Sequence, residues 1–185
     1  MKLKFKNCIH NLNFKSIYDE NKNLVFNLAL QYVQNTQDAE EISQDVFVKV
    51  HQKMDSFHGK SKLSTWIYRI TINQSLDFIK AKKRKKRAGI MTSLFFDNEE
   101  EKNHPYSEFK HPGVLMEEKE ELEKLFNYIN QLPENQKTAL ILLKIEQKSQ
   151  KEVAEIMDMG EKALESLFSR AKKNLKKYIN QNEGK

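Results

Sequence analysis

The 185-residue sequence holds one cysteine, three prolines, five glycines and one tryptophan. A single thiol, Cys8, excludes an internal disulfide framework and any zinc site built on several cysteines; it reads as an inert apolar residue. So few glycines and prolines argue against a sandwich or barrel rich in tight turns. No apolar run approaches the roughly 18 residues of a membrane span, and no signal peptide precedes the first charged stretch. The chain is therefore expected to be soluble, intracellular and mainly helical. Its histidines, His10, His51, His58, His104 and His111, are scattered and form no ligand pair. There is no P-loop and no nucleophile–base arrangement. Nothing in the sequence calls for catalysis, a metal or a cofactor.

What the chain has in quantity is charge, on 31% of residues, and it is unevenly placed. Residues 1–87 carry net +9, residues 88–120 net −5 and residues 121–185 net +2. A basic block, an acidic middle and a nearly balanced end suggest two working modules and a connector. The connector holds Gly89, Pro105, Pro112, Gly113 and the acidic run Asp97-Asn98-Glu99-Glu100-Glu101. Apart from the apolar patch Leu94-Phe95-Phe96 it shows no sustained periodicity, and it reads as a flexible linker. The expected fold class is all-α: two small helical domains, 10–87 and 117–181, joined by a linker over 88–116. When the chain is free the two are expected to be mobile relative to one another.

In the first module, apolar spacing predicts an amphipathic helix from Phe14 to Val33. Asn35-Thr36 breaks it, with Thr36 as the expected N-cap of a helix from Asp38 to about Met54. On that helix Ala39, Ile42, Val46, Val50 and Met54 share one face. Asp38, Glu41 and Asp45 share another, with Glu40 and Gln44 beside them. The acidic face admits three readings: a solvated surface, a docking face for a basic partner, or metal ligands at i, i+3 and i+7. The metal reading is weak, because no matching acidic set occurs elsewhere in the module. The loop Asp55 to Ser64 carries Phe57, which either anchors the loop in the core or forms a wall for an unstacked base. Ser64 is the expected N-cap of a helix running to about Lys86, with Trp66, Ile67, Ile70, Leu76 and Ile79 toward the core. Arg69, Asn73 and Gln74 are polar on the same helix. In residues 80–87, seven of eight side chains are basic, a self-repelling cluster that a nucleic acid would relieve.

The second module begins with a helical stripe from Glu117 to Gln131, stopped by Leu132-Pro133, and a helix from Glu134 to about Ile145. Ser149 with Glu152 forms a capping box for a helix over 150–158. Gly160 is expected to turn the chain with positive φ. The last helix, from about Glu161 to Tyr178, has the stripe Leu164, Leu167 or Phe168, Ala171, Leu175 and Tyr178. Lys162, Glu165, Ser166, Ser169, Arg170 and Lys173 face the other way. A short helix, a turn and a longer helix with a basic polar face is either a helix-turn-helix fitted to the major groove or an ordinary helical hairpin. The tail from Asn180 is expected to fray.

With these residues in view, the chain resembles the bacterial RNA polymerase sigma factors of the sigma-70 family, in the small extracytoplasmic-function (ECF) class. Four segments carry the resemblance in order: Asp38 to Phe47, Phe57 to Asn73, Leu132 to Gln136, and Lys151 to Ala154 followed by Leu164 to Lys172. The resemblance implies a transcription initiation factor, not an enzyme. It would bind core RNA polymerase and promoter DNA, with an anti-sigma factor as a further partner. No small-molecule substrate, cofactor or membrane insertion is implied. The place implied is the cytoplasm, where an anti-sigma factor could hold the chain at the inner membrane.

Region two would dock on core polymerase through Asp38, Glu40, Glu41, Gln44, Asp45 and Phe47. The minus-ten element would be read and melted by Phe57, His58, Lys60, Lys62, Arg69, Asn73, Lys80, Lys82, Lys83 and Arg84. Region four would read the minus-thirty-five element through Lys162, Glu165, Ser166, Ser169, Arg170 and Lys173. Glu165, Leu167 and Leu63 depart from the family's usual residues, which leaves the promoter sequence open. Two rival readings remain: a free-standing helix-turn-helix regulator, which has no need of the acidic helix, and a metal-dependent enzyme acting on nucleic acid.

Overall fold

The structure, a computed structural model, describes residues 13–57, 59, 61–93 and 116–183, excepting the side chains of 89–93, 116–119, 182 and 183. Among the described residues every regular element is helical. In chain order they are α1 (Phe14–Val33), α2 (Thr36–Lys53), a 3₁₀ turn (Met54–Ser56), α3 (Leu63–Ser93), α4 (Met116–Asn130), α5 (Glu134–Leu140) running into a π turn (Ile141–Ile145), α6 (Gln150–Ile156) and α7 (Glu161–Glu183).

Local chemistry sets several of the boundaries, and it refines four expectations. The cap of α2 is Asn35, not Thr36: its side chain accepts from the Asp38 N–H, satisfying one of the helix's free donors. α3 begins at Leu63, so Ser64 lies inside its first turn, and the helix continues to Ser93 instead of stopping near Lys86. The basic run is therefore helical, with its lysines on a fixed repeat. The left-handed residue after α6 is Asp158, at φ 54°, and not Gly160; a short polar side chain tolerates that conformation better than most. α7 continues past Tyr178 to Glu183. The Ser149–Glu152 capping box forms as expected, with both reciprocal bonds present.

α1, α2 and α3 pack pairwise into a bundle, and α7 lies across α5 and α6. In the bundle, Ile17, Val25, Leu28, Ala39, Ile42, Val46, Val50 and Ile67 are at most 1% exposed. Thr71 and Ser75 are also fully buried, each returning its hydroxyl to the carbonyl four residues earlier, so α3 can lie close to its neighbours without an unpaired polar group.

The expectation of independently mobile domains meets a different arrangement. The core of the first bundle is continuous with Ala139, Ile141, Leu142, Val153, Ala154, Ile156 and Leu164 of the second module. α6 packs on α3. A smaller cluster of Phe126, Ile129, Leu132 and Leu140 belongs to the second module alone. Each large aliphatic side chain taken from water contributes about 1.5–3 kcal/mol, so a shared core resists separation.

Candidate nucleic-acid interface

The seam between the modules is polar at its edges. The Tyr68 hydroxyl donates to Glu146 Oε2 at 2.7 Å, and Gln31 Nε2 donates to Oε1 of the same carboxylate at 2.5 Å. The Tyr32 hydroxyl donates to Thr138 Oγ1 at 2.8 Å. Asn130 Nδ2 donates to Gln34 Oε1 at 2.6 Å. Burial pushes the pKa of both tyrosines up, and the Glu146 carboxylate adds to that effect at Tyr68, so both act as neutral donors. No sequence signal marked Glu146, because its meaning depends on two residues far away in the chain.

Two helices carry the candidate DNA contacts, and the fold treats them differently. On α7, Leu164 and Ala171 are fully buried. Helical periodicity then turns Lys162, Glu165, Ser166, Ser169, Arg170 and Lys173 outward, and all six are exposed. Arg170 Nε donates to the Ser166 carbonyl at 3.3 Å, a bond within its own helix.

On α3, several candidates are already engaged. Arg69 Nε donates to the Ile156 carbonyl at 3.1 Å and Nη2 to the Glu155 carbonyl at 2.5 Å, with Asp158 Oδ1 at 3.7 Å. The guanidinium thus caps carbonyls at the C-terminus of α6, where the helix dipole favours a cation. Lys80 pairs with Glu134 at 2.9 Å and Lys82 with Asp38 at 2.5 Å. Asn73, Lys62, Lys83 and Arg84 are exposed. Phe57 is half-buried, its ring 5.1 Å from that of Trp66 and tilted by 38°, so the loop aromatic rests on the helix that follows it. His58 and Lys60 lie outside the described residues.

The residues expected to meet polymerase divide between two faces of α2. Asp45 accepts from Gln74 Nε2 at 2.7 Å and Asp38 pairs with Lys82, so both turn toward α3. Glu41 is exposed. Glu40 and Gln44 line a groove of about 730 Å³ between α1 and α2, along with Phe14, Tyr18, Val48 and His51. Phe47, 6% exposed, lies at its base, with Tyr18 4.7 Å away between ring centres. Tyr18 is 42% and Val48 54% exposed, an apolar surface that the acidic pattern alone did not suggest. One signal was present: Val48 stands off the Ala39–Ile42–Val46–Val50 stripe. The metal reading of Asp38, Glu41 and Asp45 fails on geometry. Among the described residues, no group of three or more His, Cys, Asp or Glu side chains could hold an ion. Nor is any helix there long and apolar enough to cross a membrane.

Residues 17–85 match the family Sigma-70 region 2, and residues 122–175 match Sigma-70 region 4. The ECF RNA polymerase sigma factor SigW of Bacillus subtilis is 30% identical over 173 residues, spanning 90% of this chain and 88% of SigW. The ECF RNA polymerase sigma-E factor of Escherichia coli K12 is 30% identical over 148 residues, spanning 80% of this chain and 76% of that protein. Among solved structures, CnrH in complex with the cytosolic domain of CnrY superposes with a TM-score of 0.63 at 17% identity, covering 97% of each chain. The sigma factor RpoE of Bartonella quintana, in complex with the anti-sigma factor NepR, superposes with a TM-score of 0.60 at 24% identity, covering 90% of this chain and 96% of RpoE. At those identities the two structures speak to the fold. The region matches and the two sequence relatives establish that the chain belongs to the ECF class of the sigma-70 family of RNA polymerase sigma factors, transcription initiation factors that are not enzymes.

Proposed function

We propose that this sigma factor works in the cytoplasm by docking α2 on core RNA polymerase, reading the minus-ten element with α3 and its preceding loop, and reading the minus-thirty-five element with α7. Residues 10–87 form the first functional unit, 117–181 the second, and 88–116 the connection between them. The observation that carries the reading is the pairing of an exposed basic and polar face on α7 with both sigma-region matches. Docking uses Glu40, Glu41 and Gln44 together with the apolar groove floored by Phe47, while Asp38 and Asp45 hold α2 against α3. Phosphate contacts from Lys82, Lys83 and Arg84 position the upstream DNA, and Asn73 and Phe57 take part in capturing an unstacked base. Unstacking costs a few kcal/mol, and stacking returns roughly 1–3 per base, so melting draws on energy shared with polymerase. An anti-sigma factor that engages both modules would hold the chain inactive, at the inner membrane where that partner is membrane-bound.

The closed seam adds a requirement. Arg69 and Lys80 bind the second module, so the modules must part before these side chains reach DNA. Run-off transcription with bacterial core polymerase on a pool of randomised promoters tests the reading. Initiation at a defined pair of motifs supports it. DNA binding without any redirection of polymerase would favour a free-standing regulator.

A further inference from the structure

A cavity of about 360 Å³ lies at the seam, within the size range of small-molecule sites. Lys82, Lys83 and Lys86 reach it from α3 and Lys137 from α5, while Tyr32 and Phe78 form apolar walls. Lys137 is unusual. It is 5% exposed and donates through Nζ only to neutral oxygens, the Tyr32 carbonyl at 2.9 Å and Asn130 Oδ1 at 2.5 Å. Its Nζ also lies 5.0 Å from the centre of the Tyr32 ring. Among the described residues it has no carboxylate partner, and a buried ammonium without one is costly. Asp38, the cavity's one carboxylate, already pairs with Lys82. Lys83, Lys86 and Lys137 are left as an excess of positive charge around a space with apolar walls.

We propose that this cavity binds a small, multiply charged phosphorylated anion, with Lys137 at its floor and Lys83 and Lys86 at its rim. Phosphate oxygens would supply the counter-charge that Lys137 lacks, in a site where water screens little. Because the lysines come from both modules, the bound anion ties one to the other. A duplex lying along the exposed face of α3 would meet the rim lysines but not the buried one, so Lys137 separates this site from the promoter-binding surface. Recognition of the anion does not depend on the promoter-reading role.

Burial, reinforced by the neighbouring charge of Lys83, pushes Lys137 down to about 7. The other charged or titratable groups facing it are Tyr32 on α1, Asp38 on α2, and Lys82 and Lys86 on α3; α4 offers the neutral Asn130. An anion that seats against Lys137 at pH 8 must therefore draw a proton onto it. Trimetaphosphate is a suitable probe, since it has no group that titrates near neutral pH. Calorimetry on the full chain, at constant ionic strength in buffers of different ionisation enthalpy, reads both affinity and proton uptake. The expected result is one saturable site, at least tenfold tighter for trimetaphosphate than for sulfate, with close to one proton taken up at pH 8. Lys137→Met should weaken binding at least tenfold with the helical circular dichroism retained, and Lys83→Gln with Lys86→Gln by several fold. Lys176→Gln on α7 should change nothing. Proton uptake in the unmodified protein keeps the test valid should Lys137→Met fail to fold. Affinity no better than sulfate, binding without proton uptake, or full affinity in a folded Lys137→Met would each overturn the proposal, the last two by assigning the anion to surface lysines.

Discussion

The two helices that carry the candidate DNA contacts, α3 and α7, have similar chemistry and opposite situations. Both carry arginine, lysine and small polar residues on one face and an apolar stripe on the other. The polar face of α7 is open to solvent at all six candidate positions. On α3, Arg69 and Lys80 are committed to the second module. The difference arises from what lies opposite each helix. α7 buries its stripe on α5 and α6 and leaves its other face uncovered, whereas α3 is the surface on which α6 rests. Equivalent residues can thus be available for DNA in one half of the molecule and held in reserve in the other. Occupancy by an internal partner, not residue type, decides which of these side chains are free in the closed chain.

The sharpest way to break this comparison is to remove the shared core. Leu142→Ala deletes a fully buried side chain of the continuous cluster and should cost about 2–5 kcal/mol. Urea unfolding followed by circular dichroism should show one transition moving to lower denaturant. Two separated transitions, with the first module unmoved, would show that the modules do not share a core.

Arginine substitutions on the two helices should then have contrasting effects. Arg170→Ala should weaken minus-thirty-five binding by holoenzyme by about 1–3 kcal/mol if the side chain grips guanine, and leave the stability of the free chain unchanged. Arg69→Ala should loosen the seam, increasing the radius of gyration by small-angle scattering. Equal effects on both readouts would erase the distinction between the helices.

Acidity probes the seam itself. The folded-state ionisation of Lys137 is depressed to about 7, so above that value the native chain binds fewer protons than the unfolded chain. Stability should therefore rise with pH from about 7 toward 9.5, by at most about 1.4 kcal/mol per pH unit, and Lys137→Met should flatten that slope. An unchanged slope in urea titrations of the variant would place the proton elsewhere. The smallest effect belongs to the helix-turn-helix. Ser149→Ala removes the hydroxyl half of the cap on α6, leaving the Ser149 N–H to the Glu152 carboxylate, and should cost about 1 kcal/mol, read as a lower thermal midpoint. The Ser149 hydroxyl holds the Glu152 carboxyl below the usual range, so the same variant should return it upward, visible by NMR titration.

Much of this was legible in the chain. Periodicity located the helices, since the residues that bury on each one recur every three or four positions. The capping box at Ser149 could be read because its chemistry is confined to four adjacent residues. The outward face of α7 followed from Leu164 and Ala171 alone. The candidate polymerase-docking set on α2 was legible only as a composition. Its acids are spaced to share a helix, but which of them meet solvent depends on where α3 lies, and α3 takes Asp38 and Asp45 for itself.

The sequence by itself determined an all-α fold class, two modules of unequal charge, and the residue types on each helix face, because these depend on local spacing and on nearest neighbours along the chain. The tertiary structure alone decided that the modules share a core, that Glu146 bridges Tyr68 and Gln31, that Arg69 is held by the end of α6, and that Lys137 is buried beside a ring of lysines. Those features join residues about 50 to 115 positions apart. Their pairing follows from which surfaces exclude water together, and no local pattern encodes that.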